Sequence, residues 1–227
     1  MAGGSMRRRQ LKALRRKKKR LLQMVPKAGG FHNLSPDRYA GCRILDALIT
    51  DSIFDHGSGN AVLARATRSG EVAVSAFLVD VFCLGVKEAF FAVMRRPDYG
   101  MRLKPMLLRA FKGEWQEIAP QCLRKLVEGA VAYAEALSFP PPEEYHIAAR
   151  LFGELDPSDC SEEFLFGRAG RPCYVQGPGD DEETVYRVLK KLQERCGEGG
   201  FDYYVVIDGE PRASSQELLQ KYSDPHR

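Results

Sequence analysis

The sequence predicts an α+β fold: a mixed sheet with a central hairpin, packed helices, and a C-terminal βαβ-like unit. Three observations predict it. Two β-rich runs flank a Ser-Gly turn, a long amphipathic helix ends at three prolines, and the last third has the order strand, helix, strand. The 227 residues are 44% hydrophobic and 10% aromatic, which is enough apolar material for a core.

The hairpin is predicted by the runs NAVLARAT and EVAVSAFLVDVFCLGV on either side of Arg68-Ser69-Gly70. A Ser-Gly pair between two β-rich runs is typical of a hairpin turn. The second run is apolar at both alternating sets of positions. This pattern predicts a strand that is covered on both faces and lies centrally in its sheet.

Helices are predicted where apolar residues recur at helical spacing. Three consecutive prolines, Pro140 to Pro142, mark the end of the longest one. The predicted helices cover Asp37 to about Thr50, Lys104 to Phe111, about Glu117 to Leu137, and the segment EEYHIAARLFG.

The C-terminal unit is predicted as a strand over Pro172 to Val175, a helix over Asp181 to Cys196 and a strand over Phe201 to Ile207. The Gly, Pro and acidic residues of QGPGDDEE are typical of a capped helix start. This segment lacks the GxxxxGK[ST] pattern of a nucleotide-binding loop, so a capped turn is the favoured interpretation.

The domain organisation follows from these elements and from shifts in composition. The opening MAGGS before Met6 is typical of a cloning scar. The predicted segments are the scar (1–5), a basic arm (6–26), an α+β core (37–160), a β-α-β unit (161–210) and a tail (211–227).

Charge is strongly segregated along the chain. Ten of the 34 Lys and Arg residues fall within RRRQLKALRRKKKR, residues 7–20, which contains no acid. Without those ten, 24 basic residues stand against 30 acidic ones, so the remaining chain has a net charge of −6 and the arm has +10. The ten basic residues of the arm are Arg7, Arg8, Arg9, Lys12, Arg15, Arg16, Lys17, Lys18, Lys19 and Arg20.

Such an arm predicts a polyanionic partner, and nucleic-acid phosphates are the favoured one. RNA is slightly favoured over DNA, because arginine-rich segments commonly fold into RNA grooves. The alternatives for the arm are a solubilising or targeting tail and a patch for anionic lipid. Arg168 and Arg171 in GRAGRP are candidates for a secondary nucleic-acid contact, with a plain hairpin tip as the alternative.

Several features bear on location and cofactors. No run of about 18 uncharged apolar residues occurs, and the N-terminal basic run has no apolar segment of the kind a secretory signal needs. The sequence therefore predicts a cytoplasmic protein without a membrane span.

The six cysteines contain no CxxC pair, which predicts reduced thiols, no zinc site and no other metal or cofactor.

Two charged residues, Asp80 and Lys87, interrupt the apolar stretch FLVDVFCLGVKE. In a regular strand they point to opposite faces, and Gly85 is the residue that could supply the bend they would need in order to meet. The favoured interpretation is structural, with Asp80 accepting hydrogen bonds where the strand leaves the core. The alternative makes Asp80 a metal ligand or general base of a nuclease, which requires further carboxylates; the candidates are Asp46, Asp51, Asp55 and Glu71.

The strings LVDVFCLGVKEA, GAVAYAEALSFPP and LFGELDP together resemble the pattern of a bacterial protein family that carries no assigned function. The resemblance covers about residues 59–156, and the first string is its specific part. It implies no activity. It implies one fold-defining strand and its exit, formed by Leu78, Val79, Asp80, Cys83, Leu84, Gly85, Val86 and Lys87.

The function predicted from the sequence is that of a binding protein rather than an enzyme. We expect a nucleic-acid-binding accessory subunit of a ribonucleoprotein, with the basic arm on the phosphate backbone and the body available to a protein partner. A metal-dependent nuclease that uses Asp80 on a central strand is the alternative.

Overall fold

A computed structural model describes residues 35–110, 114–207 and 210–214. The chain divides into two units, one formed by Ala28–Phe166 and the other by Met1–Lys27 with Gly167–Arg227. The predicted scar, the basic arm with its ten Lys and Arg residues and most of the predicted tail lie outside the described residues.

The first unit is built on a five-stranded sheet, whose strands are β1 (Arg43–Thr50), β2 (Ser58–Ala66), β3 (Glu71–Asp80), β4 (Gly85–Arg95) and β5 (Trp115–Glu117). Their order across the sheet is β4-β3-β2-β1-β5. Every pair of neighbouring strands in it is antiparallel. Strands β1 to β4 are neighbours in chain order and need only short connections, whereas β5 follows β4 in the chain and pairs with β1 at the opposite edge of the sheet.

The predicted hairpin is confirmed as β2 and β3. Their register runs from Ser58 opposite Asp80 to Ala66 opposite Val72. The turn closes at Gly70, whose φ of 89° is readily available to glycine. Strand β3 lies between β2 and β4, and most of its residues are buried on both faces, as the sequence predicts for a central strand.

The predicted helix from Asp37 to Thr50 is wrong over most of its length. Only α1 (Asp37–Ala40) is helical, and β1 follows after Gly41. The reason is a bulge in β1 between Ile44 and Asp46, which shifts the strand register by one residue. A bulge interrupts the alternation of apolar residues that would mark a strand, and the remaining pattern resembles helical spacing.

Helices pack on one face of the sheet through aromatic and small side chains. Phe77 of β3 stacks on Phe152 with ring centroids 5.5 Å apart, and it meets Tyr145 edge-on at 6.2 Å. Ser75 Oγ donates to the Ala148 carbonyl at 2.7 Å. The remaining helices of this unit are α2 (Ile53–His56), α3 (Arg96–Asp98), a π-helical turn (Tyr99–Leu103), α4 (Lys104–Ala110), α5 (Pro120–Ala136), α6 (Glu143–Ala148) and two 3₁₀ turns (Ala149–Phe152 and Pro157–Asp159).

A disulfide joins Cys122 near the start of α5 to Cys160 after the last 3₁₀ turn. The expectation of six reduced cysteines is therefore wrong for this pair. The two residues are 38 apart in the sequence, but the fold brings their Cα atoms within 5.0 Å, a separation at which a disulfide forms without backbone movement. Cys42, Cys83, Cys173 and Cys196 are not part of a disulfide.

The second unit contains the predicted βαβ arrangement. Strand β6 (Cys173–Val175) pairs in parallel with β7 (Asp202–Ile207), and α7 (Glu182–Cys196) connects them. Asp181 caps α7, because its side chain accepts the Thr184 N–H at 3.0 Å. An additional strand, β8 (Glu210–Ala213), pairs antiparallel with β7, so the smaller sheet has mixed pairing.

In the ranges that the structure describes, no helix combines the length and the apolar character needed to cross a membrane.

Candidate functional site

Asp80 is the last residue of β3, and its side chain is bound by backbone N–H groups. Its Oδ1 accepts hydrogen bonds from the amides of Phe82 at 3.1 Å, Cys83 at 2.9 Å and Leu84 at 3.2 Å. Asp80 is only 4% exposed. The carboxylate therefore closes the turn from β3 to β4, which agrees with the structural interpretation of this residue.

Gly85 begins β4 directly opposite Asp80 and allows the strand to pass close to α5. Its φ is 64°, and a Cβ at this position would lie 2.9 Å from the Ala130 carbonyl oxygen and 2.7 Å from Ala134 Cβ. Both the backbone conformation and the close contact require glycine here. This requirement accounts for the glycine within the CLGVK string.

Lys87 sits at a β-bulge, which is how its charge can act on Asp80. Leu78 pairs with Glu88, but the next residue of β3, Val79, pairs with Val86, so Lys87 is left as the extra residue of β4. Burial raises the pKa of the Asp80 carboxyl, whereas the charge of Lys87 and the three backbone hydrogen bonds lower it. The two charges within the apolar stretch thus interact electrostatically.

The other carboxylates of the nuclease hypothesis have different locations. Glu71 begins β3 and Asp80 ends it, so about 30 Å of extended strand separates them. Asp51 and Asp55 are exposed in the connection between β1 and β2. Within residues 35–110, 114–207 and 210–214, no group of three or more His, Cys, Asp or Glu side chains is placed to hold a metal ion.

Asp46 has both carboxylate oxygens engaged. Tyr99 donates its hydroxyl to Oδ2 at 2.6 Å, and Lys104 donates from Nζ to Oδ1 at 2.6 Å. Burial, and then the hydrogen bond to Asp46, raise the pKa of the Tyr99 phenol. Asp46 therefore anchors the π-helical turn and the start of α4 to the bulged strand β1.

Arg65 is a buried cation of β2, bound only through carbonyl oxygens in the contacts that the structure describes. Its guanidinium donates to Leu151 at 3.0 Å, Phe152 at 2.9 Å and Cys42 at 2.8 Å. Burial lowers the pKa of Arg65. These bonds connect the 3₁₀ turn that contains Leu151 and Phe152 to the sheet, which gives Arg65 a structural role.

The proposed secondary nucleic-acid contact, GRAGRP, forms a tight hairpin tip in the second unit. Arg168 and Arg171 exchange backbone hydrogen bonds of 2.7 and 3.1 Å across Ala169 and Gly170, both at positive φ. The Arg171 side chain donates to the Gly199 carbonyl at 2.6 Å and lies 3.6 Å from Asp202. Arg171 thus contributes to the internal contacts of this unit, and its role in nucleic-acid binding stays a prediction.

A feature that the sequence analysis missed is a cluster of exposed arginines at one end of the five-stranded sheet. Arg43 begins β1 opposite Ala66, and Arg68 lies in the turn that follows Ala66. On the other side of that turn, Arg95 pairs with Glu71, and the Arg96 amide donates to the Gly70 carbonyl at 2.9 Å. We call the set the basic rim; its members are Arg43, Arg68, Arg95, Arg96 and Arg102.

Arg102 joins the basic rim through Asp98. Arg95 Nε lies 3.3 Å and Arg102 Nη1 3.7 Å from the two oxygens of the Asp98 carboxylate. Both arginine side chains remain largely in solvent, with 84% and 75% of their surface exposed. The arginines are spread over 60 positions of the chain, so only the strand register reveals that they share one end of the sheet.

The opposite end of the same sheet has the opposite charge. Its exposed charged side chains in the strands and adjoining turns are mainly acidic. The first unit therefore has an electrical polarity along its strands, basic at the β2–β3 turn and acidic near Asp80. The exposed acidic residues are Asp51, Asp55, Glu88, Glu114 and Glu117.

Comparisons of this chain with protein-family models, with curated proteins and with solved structures each give no match.

Proposed function

We propose that this protein is a non-enzymatic nucleic-acid-binding subunit of a ribonucleoprotein, held on the phosphate backbone by its basic arm. The observation that carries the proposal is the segregation of charge, with ten positive charges in residues 7–20 and a net charge of −6 on the rest. A segment of this density binds polyanions strongly, without sequence preference and with a steep dependence on salt.

RNA is the favoured nucleic acid. Arginine-rich segments fold into the grooves of structured RNA, and the 2′-hydroxyl offers contacts that DNA lacks. The arm carries six arginines and four lysines. Arginine binds phosphate through two parallel hydrogen bonds, which lysine cannot do.

We propose a role without catalysis because the buried carboxylates are hydrogen-bonded to other groups of the fold. Asp80 Oδ1 is engaged by three backbone amides, and both Asp46 oxygens are engaged by Tyr99 and Lys104. Groups that hold the fold through several hydrogen bonds support a structural role better than a catalytic one. A body of this kind serves as a docking platform for a protein partner.

The test is equilibrium binding of the full chain to a fluorescein-labelled 20-nucleotide RNA of mixed sequence, followed by anisotropy from 50 to 400 mM KCl. We expect a linear fall of log affinity with log salt, with a slope of up to about −7 if all ten arm charges contact phosphates of a single strand. The RNA should keep its length during incubation with Mg²⁺. Absence of binding at 50 mM KCl, or affinity that does not depend on salt, would contradict the proposal.

A DNA of the same sequence and phosphatidylserine vesicles serve as competitors in the same assay. We expect the DNA to displace the labelled RNA only slightly less well than unlabelled RNA does, and the vesicles to displace it weakly. Vesicles that compete better than unlabelled RNA would instead identify the arm as a patch for anionic lipid.

A further inference from the structure

We infer that the basic rim is a second phosphate-binding surface, on the folded body, which contacts the backbone of the same nucleic acid as the arm. This inference rests on the proposed function and adds a defined site to it. The residues concerned are separate from the arm and from the GRAGRP turn.

The charge of the rim supports an anionic ligand. Its five arginines face two acidic neighbours, Glu71 opposite Arg95 and Asp98 between Arg95 and Arg102. The local excess is therefore three positive charges. Arg43, Arg68 and Arg96 are exposed, and the side chains of Arg43 and Arg96 form no ion pair within the described ranges.

The dimensions of the rim suit a nucleic-acid backbone. It extends across the four neighbouring strands β1 to β4, and at about 4.8 Å between strands this is a width of about 14 Å. Phosphates of one strand of a duplex are spaced about 3.4 Å along its axis, so this width spans about four of them, and because the strand winds around the axis the rim faces only some of the four. All five side chains are arginines, whose planar forks bind phosphate oxygens in pairs.

The rim is also held in place by the sheet. Arg43 and Arg95 are within the ladder of β1 to β4, and the Arg96 amide is bonded to Gly70 in the hairpin turn. Because these backbones are fixed before binding, a ligand orders only the side chains. The acidic residues at the other end of the sheet disfavour the reverse orientation of the body on a polyanion.

Arm and rim can bind one molecule together because they belong to one chain. Arg20 and Arg43 are 23 residues apart, which limits their separation to at most about 80 Å. Once one site is bound, the second meets the nucleic acid at high effective concentration. The rim then sets where the body lies, while the arm supplies much of the salt-dependent affinity.

The experiment uses the full chain with the triple substitution R68Q/R96Q/R102Q. All three side chains are exposed, so the melting temperature should change by no more than a few degrees. A control with the same loss of charge, R187Q/K190Q/R195Q, changes exposed residues of α7 in the second unit. Both variants are measured by anisotropy with the labelled 20-nucleotide RNA and with its duplex.

We expect the salt slope of the rim variant to fall by about 2 for the single strand, and its affinity to fall on the order of 100-fold at 0.1 M salt. The control should remain close to the unsubstituted protein. Equal affinity and slope in the rim variant and the unsubstituted protein would overturn the inference and leave the proposed function standing. Absence of any RNA binding by the unsubstituted protein would overturn both.

Discussion

Lys87 is the extra residue of a bulge in β4, and this position lets its ammonium act electrostatically on the buried carboxylate of Asp80 across the β3–β4 pair. In a regular strand the two side chains would point to opposite faces. The connection between β3 and β4 is formed by the bulge, Gly85 and the three amides that bind Asp80. We call it the β3–β4 corner. Its components can be tested separately.

The first prediction concerns the side-chain oxygen of Asp80. Asp80→Ala removes the acceptor of three backbone amides, and we expect the free energy of unfolding to fall by about 3 kcal/mol. Asp80→Asn keeps an acceptor at this position, so its effect should be about 1 kcal/mol. The measurement is urea unfolding at pH 7.

The control for this series is Asp159→Asn, which changes an exposed carboxylate of the same unit and should have an effect within about 0.5 kcal/mol. Equal stability of Asp80→Ala and Asp80→Asn would show that the three hydrogen bonds do not hold the corner. Loss of a Mg²⁺-dependent cleavage of RNA at unchanged stability would favour the nuclease hypothesis.

The second prediction is a pH dependence. Burial raises the folded-state pKa of Asp80 above its ordinary value of 3.8, so its contribution to stability decreases as pH rises from about 3.8 through the folded pKa. Lys87→Met removes an attraction and raises that pKa further. The variant should therefore be less stable at pH 7, by about 2 kcal/mol, and the difference should disappear in acid, where Asp80 is neutral.

Lys87→Arg keeps the charge and should restore most of the stability at pH 7. Chemical unfolding of the three proteins between pH 3.5 and 8 gives the comparison. A destabilisation by Lys87→Met that is the same at every pH would mean that Lys87 acts through packing and not through the charge of Asp80.

The third prediction compares two glycines with positive φ. Gly85→Ala places a Cβ against the Ala130 carbonyl and Ala134 Cβ of α5, whereas a Cβ at Gly70 meets nothing within 4 Å. Both substitutions incur the conformational cost of positive φ, about 1 kcal/mol. Gly85→Ala should lose about 2 kcal/mol more, from the steric conflict. Thermal unfolding that ranks the two variants equally would contradict the close approach of β4 and α5.

The fourth prediction concerns the disulfide. Closing a loop with a sequence separation of 38 stabilises the fold by about 4 kcal/mol in the chain-entropy model. Reduction, or the substitution Cys160→Ser, should therefore lower the stability by about this amount. Cys42→Ser, at a free thiol of the same unit, should have little effect under the same conditions. Equal stability with and without reductant would contradict a formed disulfide.

The disulfide also bears on location. Such bonds are rare in the reducing cytosol. The cytoplasmic location predicted from the sequence stays a prediction, and the Cys122–Cys160 bond is the observation that weighs against it. Counting the thiols of protein purified from the cytosol without added reductant would decide the redox state of this pair.

The elements that sequence patterns could predict are those with regular local periodicity. The hairpin of β2 and β3, the helix α5 and the βαβ order of the second unit all have it. Strand β1 does not, because its bulge breaks the alternation of apolar residues. Strand β5 has only three residues, which is too short for any periodic signal.

The site could be predicted only where it is local in sequence. Asp80 can be recognised from the sequence as a strand-end residue because it interrupts an apolar run, and its amide donors follow within four residues. The basic rim could not be recognised, since Arg43, Arg68 and Arg95 come together only through the register of four strands. The disulfide partners are likewise distant in sequence.

We propose that the basic arm holds the protein on nucleic acid, and the salt dependence of RNA binding after removal of arm charge tests this directly. Replacing the six consecutive basic residues from Arg15 to Arg20 by glutamine in the full chain should reduce the slope of log affinity against log salt by about 4, with the melting temperature unchanged. We expect this loss of slope together with weak residual binding. An affinity and a slope equal to those of the unsubstituted protein would contradict it.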